Sequence, residues 1–131
     1  MDVTPLIPAD RKVIIGYGTD GFRISDTVYQ GPVIVTPSQV FDWSVADTAN
    51  LAIDDFAFLN GALLPADAVL EVLLIGTGAA MQFMAPDLRR AIRAMGPVPD
   101  IMDTGAACRT FNVLLAEGRA VAAALVPSDR Q

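Results

Sequence analysis

The chain has 131 residues, of which 53% are hydrophobic, a formal net charge of −6 and no histidine. This length suits one domain whose core needs no disulfide or metal. The acidic balance disfavours nucleic-acid binding, and the absence of histidine excludes Ser-His, Cys-His and His-zinc sites. No apolar run reaches the roughly twenty residues of a membrane span, and the N-terminus lacks a signal-peptide pattern. We therefore expect a cytoplasmic protein without a metal, a cofactor or membrane insertion.

The first third of the chain reads as short strands joined by tight turns. Residues 1–12 are expected to form an extended leader, and a β-rich run begins at Val13. Asp20-Gly21 predicts a hairpin turn. Gly31-Pro32 marks a further turn before a short buried strand that ends at Pro37. Short strands in this arrangement predict an antiparallel meander.

The segment 41–65 gives a weaker pattern. A short helix is expected over residues 54–59, ending near Asn60-Gly61, because acidic residues at its start suit the helix dipole. Phe41 and Trp43 are expected to pack beneath this segment, since large aromatic side chains mostly serve core packing.

From residue 69 onward strands and helices alternate. A near-continuous apolar strand over 69–75, interrupted by Glu71, ends at Gly76-Thr77-Gly78, and a helix is expected from Pro86 to the stop at Gly96-Pro97. A short strand at 101–102, a helix ending at Gly118 and a last strand over 120–126 follow. This βαβαβ pattern predicts an α/β domain over residues 13–126 with a tail at 127–131, whose helices cover a sheet that the meander extends.

Two strand-to-glycine corners, near residues 77 and 105, are expected to meet at one end of this sheet. Asp103 and Thr104 can cap the following helix. They can also form an anion site with the free N–H groups at its start and Arg109 one turn on. These two roles are compatible. The candidate residues for binding a ligand or partner are Gly76, Thr77, Gly78, Asp103, Thr104, Gly105, Arg109 and Asn112.

Three further features each have a functional and a structural interpretation. Cys108 beside Arg109 could be an activated thiol, but its place on the flank of the helix's apolar face favours a buried one. Arg109 could bind a carboxylate or phosphate or form an ion pair with Asp100 or Asp103. Gly76-Thr77-Gly78 begins like a dinucleotide fingerprint, but Met81 replaces the third glycine and the helix starts late, so the motif fails.

The string Met102-Asp103-Thr104-Gly105-Ala106-Ala107-Cys108-Arg109-Thr110-Phe111-Asn112-Val113-Leu114, with Ile75-Gly76-Thr77-Gly78 and Pro86-Asp87-Leu88-Arg89, closely resembles a family of small domains of unknown function. That family includes mitochondrial complex I (NADH:ubiquinone oxidoreductase) assembly factor 3 and bacterial and archaeal relatives. Residues 17–22 and 31–35 fit it as well. The resemblance implies a three-layer α/β domain with a central mixed sheet. It also implies a non-enzymatic assembly role with a protein partner in the eukaryotic members.

Three hypotheses about function follow. The first is a non-enzymatic protein-interaction or assembly module related to respiratory complex I assembly, recognisable by an exposed hydrophobic surface and by polar groups at the corners that bond internally. The second is a small anionic-ligand-binding protein with a closed pocket where the Gly76–Gly78 and Asp103–Arg109 turns meet. The third is a thiol- or carboxylate-dependent enzyme, which a solvent-open Cys108 thiolate would favour.

Overall fold

The computed structural model describes residues 11–45, 48–61, 63–64 and 68–128. The predicted leader lies outside the described residues except for its last two positions, as do the last three residues of the predicted tail. Two α-helices and two 3-10 segments accompany the strands in this part of the chain. In chain order the elements are β1 (Ile14–Tyr17), β2 (Gly21–Ile24), β3 (Thr27–Gln30), β4 (Val33–Val35), β5 (Val40–Asp42), the 3-10 segments Thr48–Asn50 and Ile53–Asn60, β6 (Val72–Gly76), α1 (Pro86–Ala94), β7 (Val98–Met102), α2 (Thr104–Ala116) and β8 (Val121–Leu125).

A five-stranded mixed sheet with the order β5-β4-β8-β6-β7 forms the middle of the domain. β6 runs parallel to both β7 and β8, whereas β4 is antiparallel to β5 and β8. Every residue of β8 is buried, and Leu73 to Gly76 of β6 are buried as well. Strands covered on both faces need such continuous apolar runs, which explains why the sequence predicted this strand. The strand begins at Val72 and not at residue 69, and Val69 is exposed.

Each face of this sheet carries its own hydrophobic core. On one face, α2 and the β1–β3 strands bury Phe22, Leu74 and Phe111. On the other, α1 and the segment Ile53–Asn60 bury Phe56 and Ile92. The mixed sheet is therefore covered on one face by α2 with the β1–β3 strands and on the other by α1 with the 3-10 segment. This arrangement confirms the predicted three-layer α/β class.

The N-terminal strands divide between two sheets. β1, β2 and β3 form a separate antiparallel sheet, so the prediction that the meander extends the central sheet holds only for β4 and β5. β3 cannot join the central sheet beside β4 because β4 has no free edge. β4 already pairs with β5 on one side and with β8 on the other, which leaves no edge of β4 for β3.

The aromatic side chains pack as the sequence predicted. Trp43 contacts Phe56 and Phe58 at ring-centroid distances of 5.8 and 6.4 Å, and its indole N–H donates to the carbonyl of Asp55 at 2.7 Å. Phe41 packs against the same cluster. The expected helix over 54–59 is present as the longer 3-10 segment, because Phe56 leaves helical backbone geometry at φ −110°, ψ 20°.

Two phenylalanines, one in the core on the α1 face and one on the surface, test which residues form the core. Phe56 is fully buried, whereas Phe83 is 82% exposed. We expect Phe56→Ala to lower the free energy of unfolding by about 3–5 kcal/mol because it leaves a cavity, and Phe83→Ala to change it by about 0.5 kcal/mol or less. Urea unfolding followed by circular dichroism measures both. Equal destabilisation by the two variants would contradict this assignment of the core.

Candidate functional site

The two glycine corners meet at one rim of the central sheet, as predicted. β6 and β7 end in register at Gly76 and Met102. Just beyond them, the Thr104 N–H donates to the carbonyl of Gly78 at 2.9 Å, and the Gly78 N–H donates to Thr104 Oγ1 at 2.8 Å. This reciprocal pair of hydrogen bonds fixes the start of α2 against the end of β6.

Buried threonine hydroxyls organise this corner. Thr104 is fully buried, and its hydroxyl also donates to the Val126 carbonyl at 2.8 Å, so it joins the ends of β6 and β8 to α2. The Thr77 hydroxyl donates to the Ala80 carbonyl at 2.8 Å and accepts from the Gln82 N–H at 3.0 Å. Both hydroxyls therefore satisfy backbone groups of the protein itself, as buried polar groups require.

Two glycines allow the close approach of the segments at the corner. A Cβ at Gly76 would lie 3.0 Å from Thr104 Cα and 2.9 Å from Leu125 Cδ2. A Cβ at Gly105 would lie 2.5 Å from the Tyr17 hydroxyl oxygen and 3.3 Å from an Arg109 guanidinium nitrogen. A side chain at either position would displace a neighbour, which explains the residue type.

The N-terminus of α2 is capped by the protein's own carboxylate. Asp103 accepts a hydrogen bond from the Ala106 N–H at 2.9 Å, which confirms the capping role. Arg109 is exposed. The ion pairs recorded for the described residues join Arg90 to Asp87 and Arg119 to Glu71, so Arg109 pairs with neither Asp100 nor Asp103. An external anion at this terminus would have to compete with the Asp103 carboxylate.

Asn112 does not join the corner residues and serves another contact. Its side-chain oxygen accepts from the Ile14 N–H at 2.9 Å, and its amide nitrogen donates to the Ile14 carbonyl at 2.8 Å. The amide therefore bonds the edge of β1 as a neighbouring strand would. The sequence placed Asn112 among the candidate binding residues, but it could not reveal that β1 passes this face of α2.

Cys108 is in the wrong environment for an activated thiol. It is 4% exposed, and burial raises its pKa from 9.0 to about 12, opposed by the nearby Arg109 charge and reinforced by that of Asp103. A nucleophilic cysteine needs a lowered pKa and access to solvent. The predicted structural role, a small buried apolar side chain, is the one that the structure supports.

The most distinctive surface at this rim was missed by the sequence reasoning. Residues 79–85, here called the rim loop, connect the Gly78 corner to α1 and expose Met81 (63%) and Phe83 (82%). The loop is held on both sides of Phe83, since Gln82 is bonded to Thr77 and Met84 is buried in the core beneath α1. The signal in the sequence is Met81-Gln82-Phe83-Met84, which has three large apolar residues in four, is too short for an element and lies just before a helix-starting proline.

A shallow cleft adjoins the rim loop. Its volume is about 290 Å³, and its lining residues are Ala49, Asn50, Leu51, Phe83, Met84, Ala85 and Leu88. The exposed ring of Phe83 thus stands at the edge of a concave surface and not alone on a convex one. In the described ranges, no cluster of three His, Cys, Asp or Glu side chains is placed to hold a metal ion, and no helix has the length and apolarity to cross a bilayer.

Solved structures define the class of this domain. A solution structure from Bordetella pertussis described as a Mth938-like domain is 28% identical, with a TM-score of 0.76, and the alignment covers 98% of this chain and 94% of that one. A crystal structure titled as an outer membrane protein from Bartonella henselae is 38% identical, with a TM-score of 0.77 and coverage of 91% and 97%. This chain therefore has the three-layer architecture of Mth938-like domains.

Residues 14–126 match the family model described as "Protein of unknown function (DUF498/DUF598)", and the chain belongs to that family. Among its relatives is the human NADH dehydrogenase [ubiquinone] 1 alpha subcomplex assembly factor 3, 33% identical over 91% of this chain and 62% of that protein. The Xenopus tropicalis protein of the same name is 32% identical over 91% and 63%. An uncharacterized protein of Rhodobacter capsulatus is 34% identical over 87% and 83%. The chain thus spans less than two thirds of the assembly factors, and the predicted family resemblance is confirmed.

The Thr104 hydroxyl provides a prediction about the stability of the corner. Thr104→Val keeps the shape but leaves the Gly78 N–H and the Val126 carbonyl without this partner, so we expect a loss of about 2–4 kcal/mol in the free energy of unfolding. Thr104→Ser keeps the hydroxyl and should lose only about 1 kcal/mol. Chemical denaturation compares the two variants. A serine variant as unstable as the valine variant would show that the methyl group, not the hydroxyl, matters.

The environment of Cys108 predicts slow reaction and a specific pH dependence. Because burial raises the pKa of the folded thiol to about 12, its contribution to stability is fully present below about pH 9 and is lost as the pH rises towards 12. The stability difference between wild type and Cys108→Ala should therefore shrink above pH 9 in urea titrations. Native alkylation by iodoacetamide at pH 8 should require unfolding. Rapid alkylation of the native protein would contradict the buried assignment.

Proposed function

We propose that this chain is a non-enzymatic assembly module of the cytoplasm that binds a protein partner through the rim loop. The observation that carries the proposal is the exposure of Phe83 and Met81 on a loop whose neighbouring residues are held in place. Aromatic and methionine side chains are enriched at the centres of protein interfaces. An exposed apolar group beside a cleft is also a typical anchor for a partner.

The energetics of the rim loop support binding. Full burial of a phenylalanine or methionine side chain contributes about 1.5–3 kcal/mol. A partner that covers Met81 and Phe83 would gain this contribution from each. The bond from Gln82 to Thr77 and the burial of Met84 already restrict the loop, so little conformational entropy would be lost on association.

The corner residues support a framework role in this proposal. The side chains of Thr77, Asp103 and Thr104 are committed to backbone hydrogen bonds, and Gly76 and Gly105 provide close packing. We propose that these residues, with Gly78, position the rim loop, and that Arg109 contributes an exposed charge at its border. Such a set of groups favours recognition over acid-base chemistry.

The partner class is suggested by the names of the relatives. Curated relatives from several animals are NADH dehydrogenase [ubiquinone] 1 alpha subcomplex assembly factor 3 proteins. We infer that this chain has a related role and binds a subunit or assembly protein of a respiratory NADH dehydrogenase. The family match covers residues 14–126 and so includes the complete rim loop.

The proposal predicts a specific loss of partner binding. We expect Phe83→Asp to weaken capture of a respiratory NADH dehydrogenase protein at least about tenfold, the effect of roughly 1.4 kcal/mol, because a carboxylate in an apolar contact is poorly solvated. Affinity capture with crosslinking and quantitative mass spectrometry measures the change.

The matched control is Val69→Asp, which places the same charge on a 74%-exposed apolar residue before β6, away from the rim. This variant should retain the partner, and both variants should keep wild-type unfolding curves. Retention of the partner by Phe83→Asp, or an equal loss in both variants, would contradict the proposal. Binding of a small anion that depends on Arg109, with no protein partner, would favour the anionic-ligand alternative instead.

A further inference from the structure

Most edges of the two sheets in the described part of the chain are protected against pairing with another strand. On β7, the Val98 N–H donates to Glu71 and the Met102 carbonyl accepts from Thr77, so both residues face β6. Pairing alternates along a strand, and the backbone groups of Pro99 therefore face outwards. Pro99 has no N–H, and its carbonyl accepts from the Arg89 guanidinium at 3.0 Å. Proline and a covering charge are common means of blocking an edge.

The edges at β1 and β5 carry other protection. Asn112 bonds both the N–H and the carbonyl of Ile14, which occupies the outward groups of the first residue of β1. β5 is only three residues long and ends in the exposed Asp42. Short length and charge on an edge strand both disfavour strand addition.

β3 is different from these three edges. The Gly31 N–H donates to the Asp20 carbonyl, and Phe22 lies opposite Tyr29, so the alternation directs the backbone groups of Tyr29 towards β2. The N–H and carbonyl groups of Val28 and Gln30 consequently point away from the sheet. The strand Thr27–Gln30 contains neither proline nor charge. Its threonine, valine and tyrosine favour extended structure, and the Val28 side chain is 62% exposed.

We propose that β3 is a self-association site, where two copies of the chain pair their β3 strands antiparallel around a twofold axis at Tyr29. In this register Val28 of each copy exchanges backbone hydrogen bonds with Gln30 of the other, so all the outward groups of both strands are used. Shifting the register by two residues places Gln30 opposite Gln30 and Val28 opposite Pro32, which has no N–H to donate. The opposite shift pairs Gln30 with Asp26, and Asp26 lies outside β3.

The twofold register also suits the side chains. Tyr29 of one copy meets Tyr29 of the second in a non-hydrogen-bonded pair, an arrangement in which aromatic residues make favourable cross-strand contacts. Thr27 lies opposite Gly31, which has no side chain and is surrounded by open space. Two chains of net charge −6 repel each other in general, and an uncharged strand offers a place where they meet without local charge repulsion. The result is one six-stranded antiparallel sheet with closed symmetry.

Disulfide trapping tests the register directly. Residues in a non-hydrogen-bonded pair have Cα atoms about 4.5 Å apart, within the range of about 4.4–6.8 Å that a disulfide requires. Tyr29→Cys should therefore form a covalent dimer on mild oxidation. Thr27→Cys is the matched control, because the two Thr27 Cα atoms would lie about 14 Å apart. Both variants retain the buried Cys108. Equal crosslinking of the two variants, or none in either, would overturn the proposal.

Light scattering tests the edge without a crosslink. Val28→Lys places a charge on the edge while leaving the bonds to β2 intact, and should raise the dimer dissociation constant at least about tenfold. Val113→Lys makes the same change at an exposed residue of α2 and should leave the dimer unchanged. A monomer at every concentration, or a dimer that survives Val28→Lys, would overturn the proposal. Partner capture through Phe83 should persist in Val28→Lys, so the two proposals fail independently.

Discussion

The buried hydroxyl of Thr104 is the contact on which the arrangement of this domain's rim depends. It accepts from the Gly78 N–H and donates to the Val126 carbonyl, so one side chain joins the ends of two parallel strands to the start of α2. Where a helix starts beside strand ends, several backbone groups lack partners within their own elements. Thr104 and the Asp103 cap satisfy three of these groups. The absence of a side chain at Gly76 allows the helix to come close enough for them to do so.

This use of polar groups determines what the rim offers to other molecules. The Thr77, Asp103 and Thr104 side chains are engaged with backbone, and Cys108 is held as a protonated thiol by burial. The exposed features are the apolar side chains of the rim loop and the Arg109 charge. A surface of this kind suits association with a protein, which agrees with a family that contains assembly factors.

Local patterns predicted the parts of the fold that local interactions decide. The sequence predicted the apolar run of β6, the proline start of α1 and the Asp103 cap, because each of these depends on neighbouring residues in the sequence. The division of the N-terminal strands was not, because it depends on β4 using both of its edges within the central sheet. At the proposed site, too, the features decided by local sequence were predicted and those decided by distant contacts were not. The meeting of the corners was predicted from strand order, whereas the contact of Asn112 with β1 joins residues 98 positions apart. The exposure of Phe83 likewise depends on which tertiary surfaces remain uncovered.

In the proposed complex, the rim loop contacts a protein partner while the opposite end of the domain does not. Methyl NMR of methionine-labelled protein tests it most directly, since Met81 lies on the rim loop and Met95 lies at the far end of α1, beside the cleft lined by Val69 and Pro97. On addition of the respiratory NADH dehydrogenase protein proposed as the partner, we expect the Met81 methyl signal to shift or broaden and the Met95 signal to stay unchanged. An unchanged Met81 signal in a mixture where Met95 shifts would contradict it.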